Sequence, residues 1–391
     1  MTKGRFERSQ PKGTRPLLRF LRFLLLTAGA LVSAGLTLYL ALTIGLHSPA
    51  AHQSTQTGGE NAALMDRYDM HMTNQISSAL EGVLSIDKVY WLRDSDQVAP
   101  KPDQAKFGET TDPTTLQWLL EDAAVLLEGQ STLFSTDVKI MPGSKVTYYL
   151  DETIFAVTWK QVMDWGVYTI SEVKIAHPSQ FRRFLAGGEY GSDKSFLTTE
   201  MAQSVNAVVA SSGDFYQFRK WGISVYDRQV QRVHGTYAHT CYIDDNGDMH
   251  FTRGGEITST DAAQAFVDQN KIRFSLAFGP VLIDGGQRCE PETYPLGEIE
   301  ENYARSALCQ KGKLHYILVT ANTENIYQNV PTIADFTRNL MTFGVDKAYA
   351  LDGGQTAAIA MNGKLINRVV YGYQRRISDI IYFATAVPGK E

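Results

Sequence analysis

A chain of 391 residues with 43% hydrophobic and 20% charged content has ample material for a packed core, which excludes a disordered or fibrous protein. The net charge is −5, and past the first 22 residues there is no basic stripe, so nucleic acid is excluded as a partner. Three cysteines, Cys241, Cys289 and Cys309, cannot form a disulfide framework, and the scattered histidines offer no zinc-ligand spacing.

Residues 1–22 carry Lys3, Arg5, Arg8, Lys12, Arg15, Arg19 and Arg22 against Glu7 alone. The following run, Phe23 to Leu46, has 24 residues without a charge, enough helix to cross about 30 Å of hydrocarbon. It is longer than the apolar core of a cleaved signal peptide, about 7 to 15 residues, and reads as a signal anchor. The basic residues before it predict a cytoplasmic N-terminus and an extracytoplasmic remainder, in a single-pass protein of the cell membrane. Residues 47–60 have the small, polar composition of a linker. Residues 61–137 read as a helical stalk, with apolar positions near helical spacing from Leu64 to Leu84 and again through "PTTLQWLLEDAAVLLEG".

From 138 to 391 short alternating runs dominate, and "KVTYYL", "TIFAVTW", "WGVYTISEVKI", "NAVVAS", "GISVYD", "RFSLAFGPVLI", "KLHYILVTAN" and "KAYALD" read as strands. Helices are expected in "PSQFRRFLAGG" after His177, at 198–205, at 259–269 and at 331–344, the last with Thr332 as N-cap and Gly344 as its stop. The fold class is α+β with a mixed sheet.

Chemistry is expected where glycines and polar groups sit together at strand ends. Those places are Ser212-Gly213-Asp214-Phe215-Tyr216, Phe278-Gly279-Pro280, Arg305-Ser306-Ala307-Leu308-Cys309, Leu351-Asp352-Gly353-Gly354-Gln355-Thr356, Asn362-Gly363 with Asn367, and Gln374-Arg375. No dinucleotide fingerprint, phosphate-binding P-loop, nucleophile elbow or HExxH helix occurs. Taken in order, the six blocks resemble the phosphodiester glycosidase family over about residues 165–385. The family pattern has Asn at Ser212, Gly at Cys309, Gly or Ser at Gln355 and Glu at Gln374.

The resemblance implies hydrolysis of a sugar-1-phosphodiester at the anomeric carbon, releasing the sugar and a phosphomonoester. A phosphate leaving group is already a weak base, so the chemistry asks for neutralisation of charge on one side and a carboxylate on the other. Asp352 and then Asp214 are the carboxylates; each could instead hydrogen-bond its own turn. Arg305 and Arg375 are the phosphate ligands, or else members of structural ion pairs. Gly353 and Gly354 offer backbone amides to an anion. Gln355, Thr356, Ser212 and Asn367 complete the candidate substrate contacts, although Asn362-Gly363 itself reads as a type I′ hairpin turn. The sequence establishes no cofactor with certainty and leaves a metal requirement open; a divalent cation, Ca²⁺ or Mg²⁺, held by Asp352, Asp214 and backbone oxygens is the one candidate. The alternative to a hydrolase of surface or imported glycans is a catalytically divergent protein of the cell envelope that binds such a glycan or phosphopolymer.

Overall fold

The computed structural model describes residues 98–112, 114–115, 118–119, 140–294, 301–322 and 330–387. The basic segment, the expected anchor and linker, and most of the expected stalk lie outside the described residues. Among those described, no helix is long and apolar enough to cross a membrane.

In chain order the strands are β1 (Phe107–Thr110), β2 (Val146–Leu150), β3 (Ile154–Met163), β4 (Gly166–Ile175), β5 (Phe181–Leu185), β6 (Val209–Ser212) and β7 (Gly222–Tyr226). They continue as β8 (Gln229–His234), β9 (Thr240–Asp244), β10 (Met249–Thr252), β11 (Ile272–Leu276), β12 (Val281–Asp284) and β13 (Gln287–Arg288). The last are β14 (Arg305–Gly312), β15 (His315–Asn322), β16 (Lys347–Leu351), β17 (Ile359–Met361), β18 (Lys364–Leu365) and β19 (Asp379–Phe383). Three α-helices lie among them: α1 (Thr198–Ser204), α2 (Thr260–Asn270) and α3 (Ile333–Met341).

A nine-stranded sheet runs in the order β1-β2-β3-β4-β15-β14-β16-β12-β13, and a five-stranded sheet runs β18-β17-β6-β19-β5. A three-stranded sheet, β10-β9-β11, and the β7-β8 hairpin complete the set. The expected mixed sheet is corrected: every strand pairing among the described residues is antiparallel. Hairpin connections such as β3-β4 and β14-β15 explain this, since short links join antiparallel neighbours and a parallel pair needs a long crossover.

All eight residues of β15 are buried, because it sits mid-sheet with apolar layers on both faces. On one face α3 lays Ile333, Phe336 and Leu340 against Ala307, Ile317 and Val319. The other face packs Leu308, Leu318, Tyr349 and Leu351 against Val209, Ile359, Ile381 and Phe383 of the five-stranded sheet. Beyond that sheet, α1 closes a further layer through Met201 and Ala202 over Ala210 and Ile380. Helix α3 follows its expected limits: the Thr332 hydroxyl accepts from the Asp335 amide at 3.1 Å, and Gly344 takes φ +64°.

Two expectations are corrected. The helix expected in "PSQFRRFLAGG" is a single 3₁₀ turn, Pro178–Gln180, followed by strand β5. Its apolar residues fit period 2 as well as helical spacing, and β5 wins because Phe181 stacks on Phe383 at 4.7 Å while the whole strand pairs with β19. Residues 98–110, placed in the stalk by sequence, belong to the sheet domain instead. Strand β1 extends the nine-stranded sheet, Ala99 N–H donates to Val205 O, and Gln104 and Asn362 exchange two amide hydrogen bonds of 3.2 and 2.9 Å. The Asn362-Gly363 turn has positive φ at both residues, +50° and +67°, as a type I′ hairpin requires.

Candidate active site

The two large sheets bring four strand ends together. Ser212-Gly213-Asp214 ends β6, Asp352 follows β16, Asp379 opens β19, and Arg305 opens β14. The Asp352 amide donates to Gly213 O at 3.3 Å, and the Gly213 amide donates to Asp379 O at 3.0 Å. Ser306 lies opposite Leu351 in the β14-β16 register, which sets Asp352 beside the start of β14.

Asp352 has the environment of a proton-handling carboxyl. The residue is half-buried, and its Oδ2 is enclosed without a hydrogen-bond partner. Burial pushes its pKa from 3.8 up to about 7, against the opposing influence of the Thr356 hydroxyl and of the guanidiniums of Arg219 and Arg375. A carboxyl poised near neutrality, next to fixed positive charge and at the edge of a cleft, is the pattern that acid–base catalysis requires.

Two arginines flank it in the same manner. Arg219 lies over the Phe278 ring at 4.1 Å, and Arg375 over the Phe215 ring at 5.0 Å, with Phe215 itself stacked on Phe218 at 4.6 Å. Held on a π face, a guanidinium keeps its in-plane N–H donors available. Arg305 is placed differently. It is buried, its Nε donates to Pro331 O at 3.4 Å, and its Nη2 donates to Glu301 O, so the head group is anchored to backbone carbonyls. Arg219, Arg305, Ser306 and Gly353 line one cleft, with Tyr303 and Tyr294 among its walls.

Asp214 belongs to a buried charge cluster. Arg183 donates from Nη2 to Asp214 Oδ1 and from Nε to Asp379 Oδ2, both at 2.8 Å. It also donates to Ser275 O and lies 5.4 Å from the Tyr216 ring. Asp214 Oδ1 accepts further from the Tyr216 amide at 2.9 Å, and Oδ2 from the Ala277 amide at 2.8 Å. Burial works against the charge on Arg183, but the Asp214 and Asp379 carboxylates outweigh it and raise its pKa. Burial likewise pushes Asp379 up to about 6, with Arg183 pulling the other way. This cluster ties β5, β6, β19 and β11 together. Gly213 is needed there, because a Cβ at that position would collide with the Asp379 carboxylate.

The remaining sequence candidates divide. The Gly354 amide donates to Ala304 O at 2.7 Å, so it bridges β14 and the turn and does not face an anion as expected. The two glycines are required by packing: a Cβ on Gly353 would lie 2.5 Å from Ala304 O, and one on Gly354 2.7 Å from the Tyr303 ring. Gln355 Nε2 donates to Tyr373 O at 3.2 Å, and the Thr356 hydroxyl donates to Gly353 O at 2.6 Å. Ser212 is buried and its hydroxyl has no partner. Asn367 holds the β17 hairpin, accepting from the Ile359 amide at 2.7 Å and donating to Ala357 O at 2.8 Å and Asn322 Oδ1 at 3.0 Å. Gln374 bonds Thr199 at the start of α1, its Nε2 donating to Oγ1 at 3.0 Å. Among the described residues no three His, Cys, Asp or Glu side chains gather as a metal site, and all three cysteines are free.

Arg183, Asp379 and Arg219 are the site residues that sequence reading misses. For Arg183 and Asp379 the available signal is "FRRFL" and "SDIIYF" read as paired strands, each opening a charge into the inter-sheet layer. Arg219 lies in a loop after β6 and carries no periodic signal.

Among known proteins, the SPbeta prophage-derived uncharacterized protein YomE of Bacillus subtilis is 23% identical over 323 residues. That alignment covers 81% of this chain and 46% of YomE, so the chain spans just under half the length of the curated relative it matches. A hypothetical protein from Synechocystis superposes with TM-score 0.48 at 16% identity, over 62% of this chain and 64% of that one. The zebrafish N-acetylglucosamine-1-phosphodiester alpha-N-acetylglucosaminidase catalytic domain, auto-inhibited by its pro-peptide, gives 0.47 at 16% identity, over 64% and 86%. Residues 205–384, which hold Asp214, Arg219, Arg305, Asp352, Arg375 and Asp379, match the family model described as phosphodiester glycosidase.

Proposed function

We propose that the protein hydrolyses sugar-1-phosphodiesters, with Asp352 as the group that handles the proton. The observation that carries this reading is the Asp352 carboxyl itself: enclosed, without a partner at Oδ2, raised to about 7, and lying within the stretch that matches the phosphodiester glycosidase model. In its ionised form Asp352 takes the proton from a water that attacks the anomeric carbon. The C1–O bond breaks, its electron pair leaves on the phosphate oxygen, and the products are the free sugar and a phosphomonoester. Arg375, fixed on Phe215, faces the charge on the departing phosphate. Asp214 acts through position, by holding Arg183 and the end of β6.

The test uses the full-length protein and an N-acetylglucosamine-1-phosphodiester. A base with a pKa of about 7 predicts that kcat/KM rises with pH to a plateau, with its midpoint near 7. A flat profile between pH 5 and 8 would remove Asp352 from that role. Saturable binding of the diester without release of sugar would favour the divergent glycan-binding protein, a reading supported by Gln374 bonding helix α1 where the family pattern has a glutamate.

The run Phe23–Leu46 and the basic residues before it support an anchor that holds the domain outside the cytoplasmic membrane. Protease added to intact cells is then expected to degrade the domain; full protection until lysis would overturn this orientation.

A further inference from the structure

We propose that the cleft lined by Arg219, Arg305 and Ser306 is a pocket for a phosphate oxyanion, with the Arg219 Nη1 and the Ser306 hydroxyl as its direct donors. The inference rests on the reading of the site given above and names the residue that selects the charged substrate. Sequence blocks point to Arg305 and Arg375 for this task, but the head group of Arg305 is anchored to Pro331 O and Glu301 O.

Three observations converge. Arg219 Nη1 is enclosed and has no hydrogen-bond partner, although a buried guanidinium N–H without an acceptor is costly. The Phe278 ring, 4.1 Å from its guanidinium carbon, fixes the plane of the group and supplies no acceptor in that plane. Ser306, 1% exposed and on the same cleft wall, also has a hydroxyl without a partner. A hydroxyl and a guanidinium edge presented together complement a phosphate oxygen pair, whereas a neutral sugar hydroxyl cannot use the charge.

The electrostatics agree. Asp352 stands at the edge of the cleft, close enough for the positive charge of Arg219 to act on its carboxyl. That arrangement seats phosphate in the cleft and turns the anomeric carbon of the attached sugar toward Asp352.

Inorganic phosphate is the probe. Calorimetry on the full-length protein is expected to show phosphate binding that weakens by about 10- to 100-fold in Arg219→Gln, as the loss of one charge-assisted contact predicts. Arg219→Lys retains part of the affinity and Ser306→Ala gives a smaller loss, with thermal melting confirming that each variant is folded. Phosphate should also inhibit sugar release competitively, with the inhibition constant shifted by the same factor. Phosphate affinity that is unchanged in a folded Arg219→Gln variant overturns the pocket, even if sugar release persists. Phosphate binding that depends on Arg219 in a protein that cleaves no sugar phosphodiester upholds the pocket and overturns the hydrolytic reading instead.

Discussion

Replacing Asp352 with asparagine is expected to cut turnover by about 10²- to 10⁴-fold and, in the same variant, to raise stability at pH 8. The second effect follows from the same burial that makes the carboxyl useful. In the unfolded chain an aspartate gives up its proton near 4; in the folded protein Asp352 keeps it to about 7. The native state therefore binds that proton more tightly, and stability from this residue is present at low pH and lost as pH rises from about 4 through 7. Asparagine cannot ionise, so the variant escapes that loss. At pH 8 it should exceed the wild type by up to about 4 kcal/mol, a gap that closes toward pH 4. Chemical unfolding at the two pH values, run beside the sugar-release assay, separates the outcomes. Undiminished turnover would remove Asp352 from the reaction, and equal stability at pH 8 would contradict its raised pKa.

Arg183→Met carries the second large effect. The substitution keeps most of the side-chain volume but leaves Asp214 and Asp379 facing each other in the core without a countercharge, and removing one partner of a buried pair costs about 3 to 5 kcal/mol. The penalty grows as pH rises, because each orphaned carboxylate can escape only by holding a proton. Urea unfolding of the variant at pH 5 and pH 8 measures this. Adding Asp379→Asn to Arg183→Met should recover part of the loss, since one buried charge is then gone. A cost below about 1 kcal/mol would mean that the cluster does not hold the strand ends together.

The fold was largely legible because its strands are long and apolar and alternate clearly. Strands β3, β4 and β15 announce themselves, as do α2 and α3 through their caps. Among the strands that escaped is β5, whose "FRRFL" places a charge in the middle of the inward face. Binary patterning treats that arginine as a break, whereas the structure satisfies it with two carboxylates that lie 31 and 196 residues away in sequence. Asp352 stands out in the sequence for a local reason, a strand running into a glycine turn. The ion pair of Asp214 with Arg183 has no such local signal, because type and position alone do not tell a carboxylate that faces substrate from one that holds an arginine. Arg219 was invisible for a third reason: its placement depends on a ring 59 residues later, Phe278, which no local pattern connects to it.

Strand β1 has a consequence for how this domain could leave its N-terminal segment. It forms one margin of the nine-stranded sheet, and Lys145 pairs with Glu109 beside it, charges that discourage another chain from adding there. Cleavage anywhere between residues 113 and 139 would cut the covalent link from that margin to β2 and leave it held by non-covalent contacts alone, the β2 ladder and the bonds of Ala99 and Gln104. Shedding at such a point risks uncovering β2 as a template for self-association. A proteolytic event upstream of Val98 would instead release a domain whose margin stays closed.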